Sequence, residues 1–454
     1  MLTSAMPSKS AESAALVRVA TPLMVSYVAD VLGMIISKAV IGRLGYFDLA
    51  AAGIALDLSF QIAIVIMGLF SAVGVLSAES LGARRPQDSV VALFQGLWLA
   101  VVFGVLAALT VYHLDVILHL TGQSAEIIGR AAPYYHAFSL ALPALIISAV
   151  LRAFLAAMMR TGWVLAVSLF TVALQYPLIH MLVHGGAGLP AMGLWGAGLG
   201  MAIVVWLRLI LLAVVVLFIA RKKGLTWPAG SARRNVWDAR PILSLGLPVA
   251  GIVALESGLF AATSQMSGWL GPVALAAYQM MMPWIAIPFV ISLGLAEAGM
   301  VRVSYWGGAE NARAARVSGN LAMIIGVGVP LLLIAVPLFA PQLITRVFLD
   351  PADPGYGDVM ALVSSLLFIA AIFQVFDSLQ AVASHVLRGL KDTTMPLVIA
   401  GIGYWAIGLC ASYTLAFRLG YGAHGLWWGV ALGLAFTGLV LAWRFESLAK
   451  RQIV

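Results

Sequence analysis

Charged residues are scarce in this chain: only 10% of its 454 residues are Asp, Glu, Lys or Arg, whereas 62% are hydrophobic. An ordinary soluble domain carries about a quarter charged residues, so this composition excludes a conventional water-soluble fold. The single cysteine, Cys410, excludes an intramolecular disulfide. None of the six lysines lies in a GxxxxGK[ST] phosphate-binding loop, which argues against ATP hydrolysis by this chain.

The apolar residues are gathered into runs that are long enough to cross a bilayer as helices. Lipid offers the backbone no hydrogen bonds, so helices are the default spanning form, and the alternating pattern of a membrane barrel is absent. The sequence therefore predicts an all-α integral membrane protein with about twelve transmembrane helices. The predicted spans are 15–41, 49–77, 90–112, 127–157, 163–183, 193–220, 241–267, 273–299, 315–339, 357–386, 396–417 and 424–444.

The formal net charge of +8 suggests nucleic-acid binding at first. When the predicted spans are threaded through a membrane, however, most of the 26 basic residues fall in loops and helix ends on one side. This bias is the positive-inside rule, and it predicts that both termini are cytoplasmic. We therefore expect the lipid bilayer, and no nucleic acid, as a partner.

The chain repeats part of its own sequence at an offset of 226 residues. GRLGYFDLAA at 42–51 returns as GWLGPVALAA at 268–277, and Pro22 corresponds to Pro248. About six spans per half keep both halves in one orientation, which predicts a pseudo-two-fold axis along the membrane normal. The predicted organisation is an N-terminal six-helix lobe, a basic cytoplasmic linker and a C-terminal six-helix lobe, at residues 1–220, 221–240 and 241–454.

Four acids lie more than five residues from either end of a predicted span: Asp30, Asp57, Glu256 and Asp377. A charge in hydrocarbon costs about 3 kcal/mol on insertion scales, so such residues face a bundle interior or a wet cavity, and function is the default interpretation. The alternative is an interhelical hydrogen bond from a protonated acid. Asp57 fits that alternative best because it lies near the start of its helix. At the repeat offset, Asp30 corresponds to Glu256.

Several segments resemble the multidrug and toxic compound extrusion (MATE) family, and specifically its NorM-like branch. ESGLFAATSQMSGWLG at 256–271 and FQVFDSLQAVASHVLRGLKDTTMP at 373–396 resemble its seventh and tenth helices. VRVSYWG at 301–307 and GAGLPAMGLWGAGLGMAI at 186–203 also fit. The resemblance implies two six-helix lobes around a central cleft, and export of cationic drugs and dyes driven by inward H⁺ or Na⁺.

The resemblance also assigns roles to residues. It places Glu256 and Asp377 at the branch's cation-site carboxylates, where H⁺ or Na⁺ would bind, with no other cofactor or metal. It further implies a functional monomer in the inner (plasma) membrane that confers antibiotic resistance, and it implies no enzymatic activity.

The chain departs from the family pattern at three positions. Ser37 stands where the family usually has Asp, five residues before the GRLG-like turn, so a proton site in the N-terminal lobe is either shifted to Asp30 or absent. Phe373 replaces a common Tyr, which removes an oxygen ligand for Na⁺, and Gln175 replaces a common Asn. The first two departures favour H⁺ over Na⁺ as the coupling ion.

The eighth span carries the side chains expected of a site for organic cations. Aromatic faces attract cations, and methionine adapts to varied shapes. Gln279 and Met282 lie three residues apart on one helix face, and we predict that they bind substrate together with Glu256, Asp377 and Phe373.

Helix direction and length predict that Asp377 meets Glu256, because both acids lie at similar depth from the extracellular end. Two carboxylates close together in a dry cleft cannot both stay charged. The pair would then exchange a proton, Na⁺ or a cationic drug at one site. Two alternatives stay open: a flippase or exporter of lipid-linked or anionic cargo, which would need basic groups, and an intramembrane enzyme acting on lipids, which would need a polar cluster near an interface.

Overall fold

The computed structural model describes residues 8–186, 188–226, 235–339 and 356–451. In this part of the chain the only pairing of extended backbone is an isolated bridge between Gly186 and Leu189, and everything else that is regular is helical. The helices up to the predicted linker are α1 (Lys9–Gly42), α2 (Tyr46–Leu69), α3 (Ser71–Gly82), α4 (Pro86–Tyr112), α5 (Leu114–Leu120), α6 (Ala125–Ser139), α7 (Ala141–Ala157), α8 (Thr161–His184) and α9 (Gly193–Lys222).

The helices after the linker include two stretches of π-helix. They are α10 (Arg240–Trp269), α11 (Pro272–Gly308), α12 (Ala312–Phe339), α13 (Tyr356–Gly389) and α14 (Thr394–Gly401), then π-helical Ile402–Leu409, α15 (Cys410–Tyr413), π-helical Thr414–Arg418, and α16 (Gly422–Arg451).

Among the described residues, 11 helices are long and apolar enough to cross a membrane, and the pair α6 and α7 makes a twelfth if it counts as one bent span. The prediction of an all-α membrane protein with about twelve spans is confirmed. The bent pair changes direction by 43° around Leu140. Pro143, one turn into the second helix, cannot donate to the carbonyl of Ser139, so the bend lies where the helical hydrogen bonds are already interrupted.

The chain divides into two compact units, each taken over its described residues: Val25–Ala250, and Met1–Met24 together with Gly251–Val454. The units therefore differ from the predicted lobes at two helix ends, because α1 changes unit after Met24 and α10 after Ala250. These two crossing points are 226 residues apart, the offset of the sequence repeat. Pro22 and Pro248 precede them by two residues and interrupt the helical hydrogen bonds there.

The unit Val25–Ala250 packs around Phe70, which lies between α2 and α3, around aromatic residues of α6 and α7, and around small residues of α9. Gly198 allows α9 to approach α6 closely, since a Cβ there would lie 2.5 Å from the carbonyl oxygen of Tyr134. The predicted linker 221–240 lies partly outside the described residues, but its end rests on α4. Gln95 and Trp98 donate to the carbonyls of Asn235 and Val236 over 2.7 and 2.9 Å.

In the other unit, α10, α11, α13, the π-helical Ile402–Leu409 segment and α16 enclose a buried apolar cluster that includes Phe373, Tyr404 and Trp427. The first turn of α1 joins this unit through an ion pair between Glu12 and Arg302, both only 1% exposed.

Candidate ion-exchange site

The C-terminal half of α13 carries a row of polar side chains within an apolar span. This helix runs unbroken from Tyr356 to Gly389, and no proline interrupts it. Asp377, Gln380 and Ser384 are spaced by three and four residues, so they lie on one face. All three are at most 2% exposed. The face is therefore turned inward, where α10 and the π-helical segment pack.

A single amide bridges the two predicted carboxylates. The Nε2 atom of Gln380 donates to Glu256 Oε1 over 3.1 Å and to Asp377 Oδ1 over 3.5 Å. The hydroxyl of Tyr404 donates to the Oε1 atom of the same amide over 2.7 Å. The predicted meeting of Glu256 and Asp377 is thus confirmed, whereas their role stays a prediction. Sequence reasoning missed both Gln380 and Tyr404; the spacing of Gln380 from an intramembrane aspartate was the available signal.

The π-helical segment Ile402–Leu409 positions Tyr404 and holds α10 next to it. Trp405, the following residue, donates its indole N–H to the carbonyl of Leu255 over 3.2 Å, one residue before the first acid of the site. Gly258 lets the indole approach α10 closely, since a Cβ there would lie 2.8 Å from Cζ2 of Trp405 and would displace the ring. π-helical turns are rare and occur often at functional sites.

A basic group lies about three turns along α13 from Asp377. Arg388 donates through Nη1 to His385 Nε2 over 3.2 Å and through Nη2 to Ser384 Oγ over 3.3 Å. A guanidinium only donates, so Nε2 of His385 accepts, and its Nδ1–H donates to the carbonyl of Ala381 over 2.7 Å. These contacts place His385 in its neutral form.

The predicted substrate residues occupy three different environments. Phe373 is 1% exposed and meets the rings of Phe260 and Trp427 edge-on at centroid distances of 6.1 and 5.8 Å. Met282 is partly buried against the same apolar cluster, whereas Gln279 is exposed. Phe373 therefore serves packing in this conformation, and substrate contact by these three residues stays a prediction.

In the unit Val25–Ala250, Asp30 lies between two arginines. Arg152 Nη1 is 3.0 Å from its Oδ2 atom and Arg208 Nη1 is 2.8 Å from its Oδ1 atom. Arg152 also stacks over the ring of Tyr27 at 4.7 Å, and Arg208 donates to Thr171 over 3.4 Å. Asp30 and Glu256 correspond in the sequence repeat, yet their partners differ. A coupling-ion role for Asp30 stays a prediction, and the two guanidinium groups weigh against it.

The two family departures in this unit contact each other. Gln175 donates through Nε2 to the carbonyl of Gly33 over 2.7 Å and to Ser37 Oγ over 2.9 Å. The hydroxyl of Ser37 donates in turn to the sulfur of Met201 over 3.0 Å. Ser37 and Gln175 are 1% and 3% exposed. A neutral, hydrogen-bonded pair thus occupies the position where the family usually has an acid.

Asp57, the fourth acid predicted to lie inside a span, is exposed on the surface of its helix. It pairs with Lys38 over 2.8 Å, and the side chains are 58% and 39% exposed.

Many apolar helices and two intramembrane carboxylates joined by one amide, with Asp377 buried and Glu256 partly buried, are the features of a multi-span membrane transporter. The MatE family model matches residues 22–181 and 248–414. The chain is 34% identical to the Pseudomonas putida protein named probable multidrug resistance protein NorM, over 97% of this chain and 96% of that protein. It is also 34% identical to multidrug resistance protein NorM of Burkholderia vietnamiensis, over 97% and 95% of the two chains.

Solved structures show the same fold at lower identity. A eukaryotic MATE transporter superposes with a TM-score of 0.85 at 22% identity, over 97% of this chain and 98% of that one. An outward-facing multidrug resistance MATE family transporter of the MOP superfamily superposes with a TM-score of 0.87 at 18% identity, over 97% and 96%. The chain belongs to the MatE family, and it is a transporter rather than an enzyme.

Proposed function

We propose that this MatE protein is a secondary antiporter that exports lipophilic organic cations in exchange for H⁺, and that it does so from the inner membrane with both termini in the cytoplasm. The names of the NorM relatives support multidrug export. The observation that carries the proposal is the amide of Gln380, which joins Glu256 and Asp377 inside an apolar span.

The exchange chemistry follows from the proximity of the two carboxylates. Two negative charges that share one N–H donor repel each other in a medium of low dielectric constant. The pair is therefore stabilised by one proton or by one organic cation, and the two ligands compete for it. Antiport results when each occupancy favours the conformation that opens to a different side.

Two features favour H⁺ over Na⁺. Hard cations prefer oxygen ligands, but an N–H donor from Gln380 occupies the position between the carboxylates. Phe373, one turn away on α13, offers no oxygen and is packed among aromatic rings. Na⁺ at Glu256 and Asp377 remains the alternative, in which the amide turns its oxygen towards the ion.

Ethidium efflux tests the proposal in cells that express the full chain. Glu256→Gln and Asp377→Asn should each reduce efflux to the level of cells without the protein, at unchanged amounts in the membrane. Asp358→Asn is the matched control, because this acid lies exposed in the first turn of the same helix. Wild-type efflux by both neutral variants would overturn the mechanism.

Efflux from vesicles with imposed ion gradients distinguishes H⁺ coupling from Na⁺ coupling. Efflux of the same dye should respond to an imposed pH gradient at zero Na⁺ and should be unchanged by an imposed Na⁺ gradient at constant pH. The reverse response would establish Na⁺ coupling and leave the role of the two acids intact.

A second candidate is export of lipid-linked or other anionic cargo. The observation that favours it is that Arg152 and Arg208 lie together at Asp30, within the spans of the unit Val25–Ala250. Arg208→Gln should then abolish export of an anionic dye and spare ethidium, whereas the leading proposal expects no export of the anionic dye by the wild type.

A further inference from the structure

We propose that Gln380, oriented by the hydroxyl of Tyr404, determines the ion specificity of the exchange site, because it keeps N–H donors rather than an oxygen between the two carboxylates. Tyr404 acts through Gln380 and is a positioning residue. This inference rests on the proposed role of Glu256 and Asp377 as the exchange site.

The orientation of the amide is set by Tyr404. This side chain is fully buried, and a buried phenol requires a hydrogen-bond partner. Its O–H donates over 2.7 Å to Gln380 Oε1, so the oxygen of the amide points towards the phenol and the nitrogen points towards the acids. Both ends of the amide are thereby satisfied, since Nε2 donates to Glu256 and to Asp377.

The opposite orientation of the amide would suit a metal cation. It would place Oε1 beside the two carboxylates and complete a set of three oxygen-bearing side chains, the ligand type that hard cations prefer. In that orientation the phenol would face the Nε2 atom and lose its acceptor. A proton needs no such ligand set, because it resides on a single carboxyl oxygen.

The tyrosine is itself fixed by the structure around it. The π-helical segment Ile402–Leu409 widens the helix at this residue, and the neighbouring Trp405 ties the segment to the carbonyl of Leu255. The phenol oxygen therefore has little freedom to follow the amide if the amide turns. Such constraint is what a specificity determinant requires, since discrimination depends on groups that do not rearrange around the wrong ion.

The charged and titratable groups around the bridge are Glu256 of α10, Asp377, His385 and Arg388 of α13, and Tyr404 itself. His385 is held neutral by its hydrogen bonds, and the positive charge of Arg388 interacts with Glu256. Removal of the phenol hydroxyl changes none of these charges. A change of ion requirement in Tyr404→Phe would therefore report the orientation of the amide.

Thermal unfolding of the purified full-length protein in detergent tests the inference without any transport. NaCl is titrated against choline chloride at constant ionic strength. The wild type and Tyr413→Phe, an exposed tyrosine of the next helical segment, should show no Na⁺-specific rise in unfolding temperature. Tyr404→Phe should show one, with Na⁺ binding about tenfold tighter than in the wild type, the effect expected for one hydrogen bond.

Three further variants locate the effect. Gln380→Met removes the donor and should also admit Na⁺, and adding Tyr404→Phe to it should change nothing more, because the tyrosine acts through the amide. Glu256→Gln in the Tyr404→Phe background should abolish the Na⁺ response. An equal Na⁺ response in the wild type and in both Tyr404→Phe and Gln380→Met would overturn the inference.

Dye efflux from vesicles completes the test. Tyr404→Phe should lose part of its H⁺-driven efflux and gain stimulation by a Na⁺ gradient, whereas the wild type should not respond to Na⁺. A wild type that exports no dye contradicts the proposed function, and the unfolding experiment still reports ion specificity. A Tyr404→Phe variant that exports dye with the ion requirement of the wild type, and whose unfolding temperature shows no Na⁺-specific rise, contradicts the further inference alone.

Discussion

Loss of one charge from the ion pair between Glu12 and Arg302 should loosen the first half of α1. Four donor contacts converge on this carboxylate: two from Arg302, one from Ser318 Oγ over 2.6 Å and one from the indole of Trp306 over 3.3 Å. Both charged side chains are 1% exposed. Glu12→Gln turns an N–H group towards these donors and leaves the guanidinium without its anion.

The magnitude follows from burial. Removing one partner of a buried ion pair costs about 3–5 kcal/mol, because the remaining charge stays desolvated. Removing both charges costs much less, so the double variant Glu12→Leu/Arg302→Met should be more stable than Glu12→Gln. The pair of Glu446 with Arg316 is the comparison: its side chains are 29% and 34% exposed, so Glu446→Gln should cost less than Glu12→Gln.

Unfolding of the purified protein in mixed micelles of increasing SDS fraction, followed by tryptophan fluorescence, measures these differences. Hydrogen exchange of residues 9–24 in native conditions reports whether the loss is local to the first half of α1, which belongs to the compact unit of Arg302. Equal costs for Glu12→Gln and Glu446→Gln would refute the reasoning, as would a double variant less stable than the single one.

Three further predictions concern the two units. Ser37→Asp should reduce the amount of folded protein, because a carboxylate beside Gln175 replaces a neutral, satisfied pair; immunoblots of membranes check this, with wild-type amounts as the contrary outcome. Asp30→Asn should lower the unfolding temperature more than Asp57→Asn in the same thermal assay, since it leaves two arginines without their anion. Phe373→Tyr should raise the Na⁺ sensitivity of vesicle efflux, since it adds an oxygen one turn from the acids, and an unchanged Na⁺ dependence would count against it.

Hydropathy alone located the membrane spans, because the bilayer demands about 20 apolar residues wherever a helix crosses it. Each predicted span overlaps a helix of the structure or, for 127–157, a bent pair. The sequence also identifies the intramembrane acids, because a carboxylate inside an apolar run carries a free-energy cost that ordinary packing does not explain. The pairing of Glu256 with Asp377 also followed from helix direction and depth, quantities that depend only on position along the chain.

The partners of the intramembrane acids were decided by the tertiary structure. Depth along a helix does not say which face is buried or which neutral side chain lies opposite, so Gln380 and Tyr404 were missed although both stand in the printed sequence. The same limit explains Asp30, which matches Glu256 in the repeat but meets two arginines. Arg152 lies near the end of the predicted span 127–157, and only the packing of α7 against α1 brings it to this acid.

The exchange of helix ends between the two units also depends on the folded chain. The prolines that precede the crossing points are plain in the sequence, because their ring removes a backbone donor wherever they occur. Which unit each half of α1 and α10 joins depends instead on long-range contacts, such as that of Glu12 with a residue 290 positions away. Local propensity and hydropathy thus determined the helices and their order, whereas the meeting of distant side chains, on which the candidate site depends, was determined only by packing.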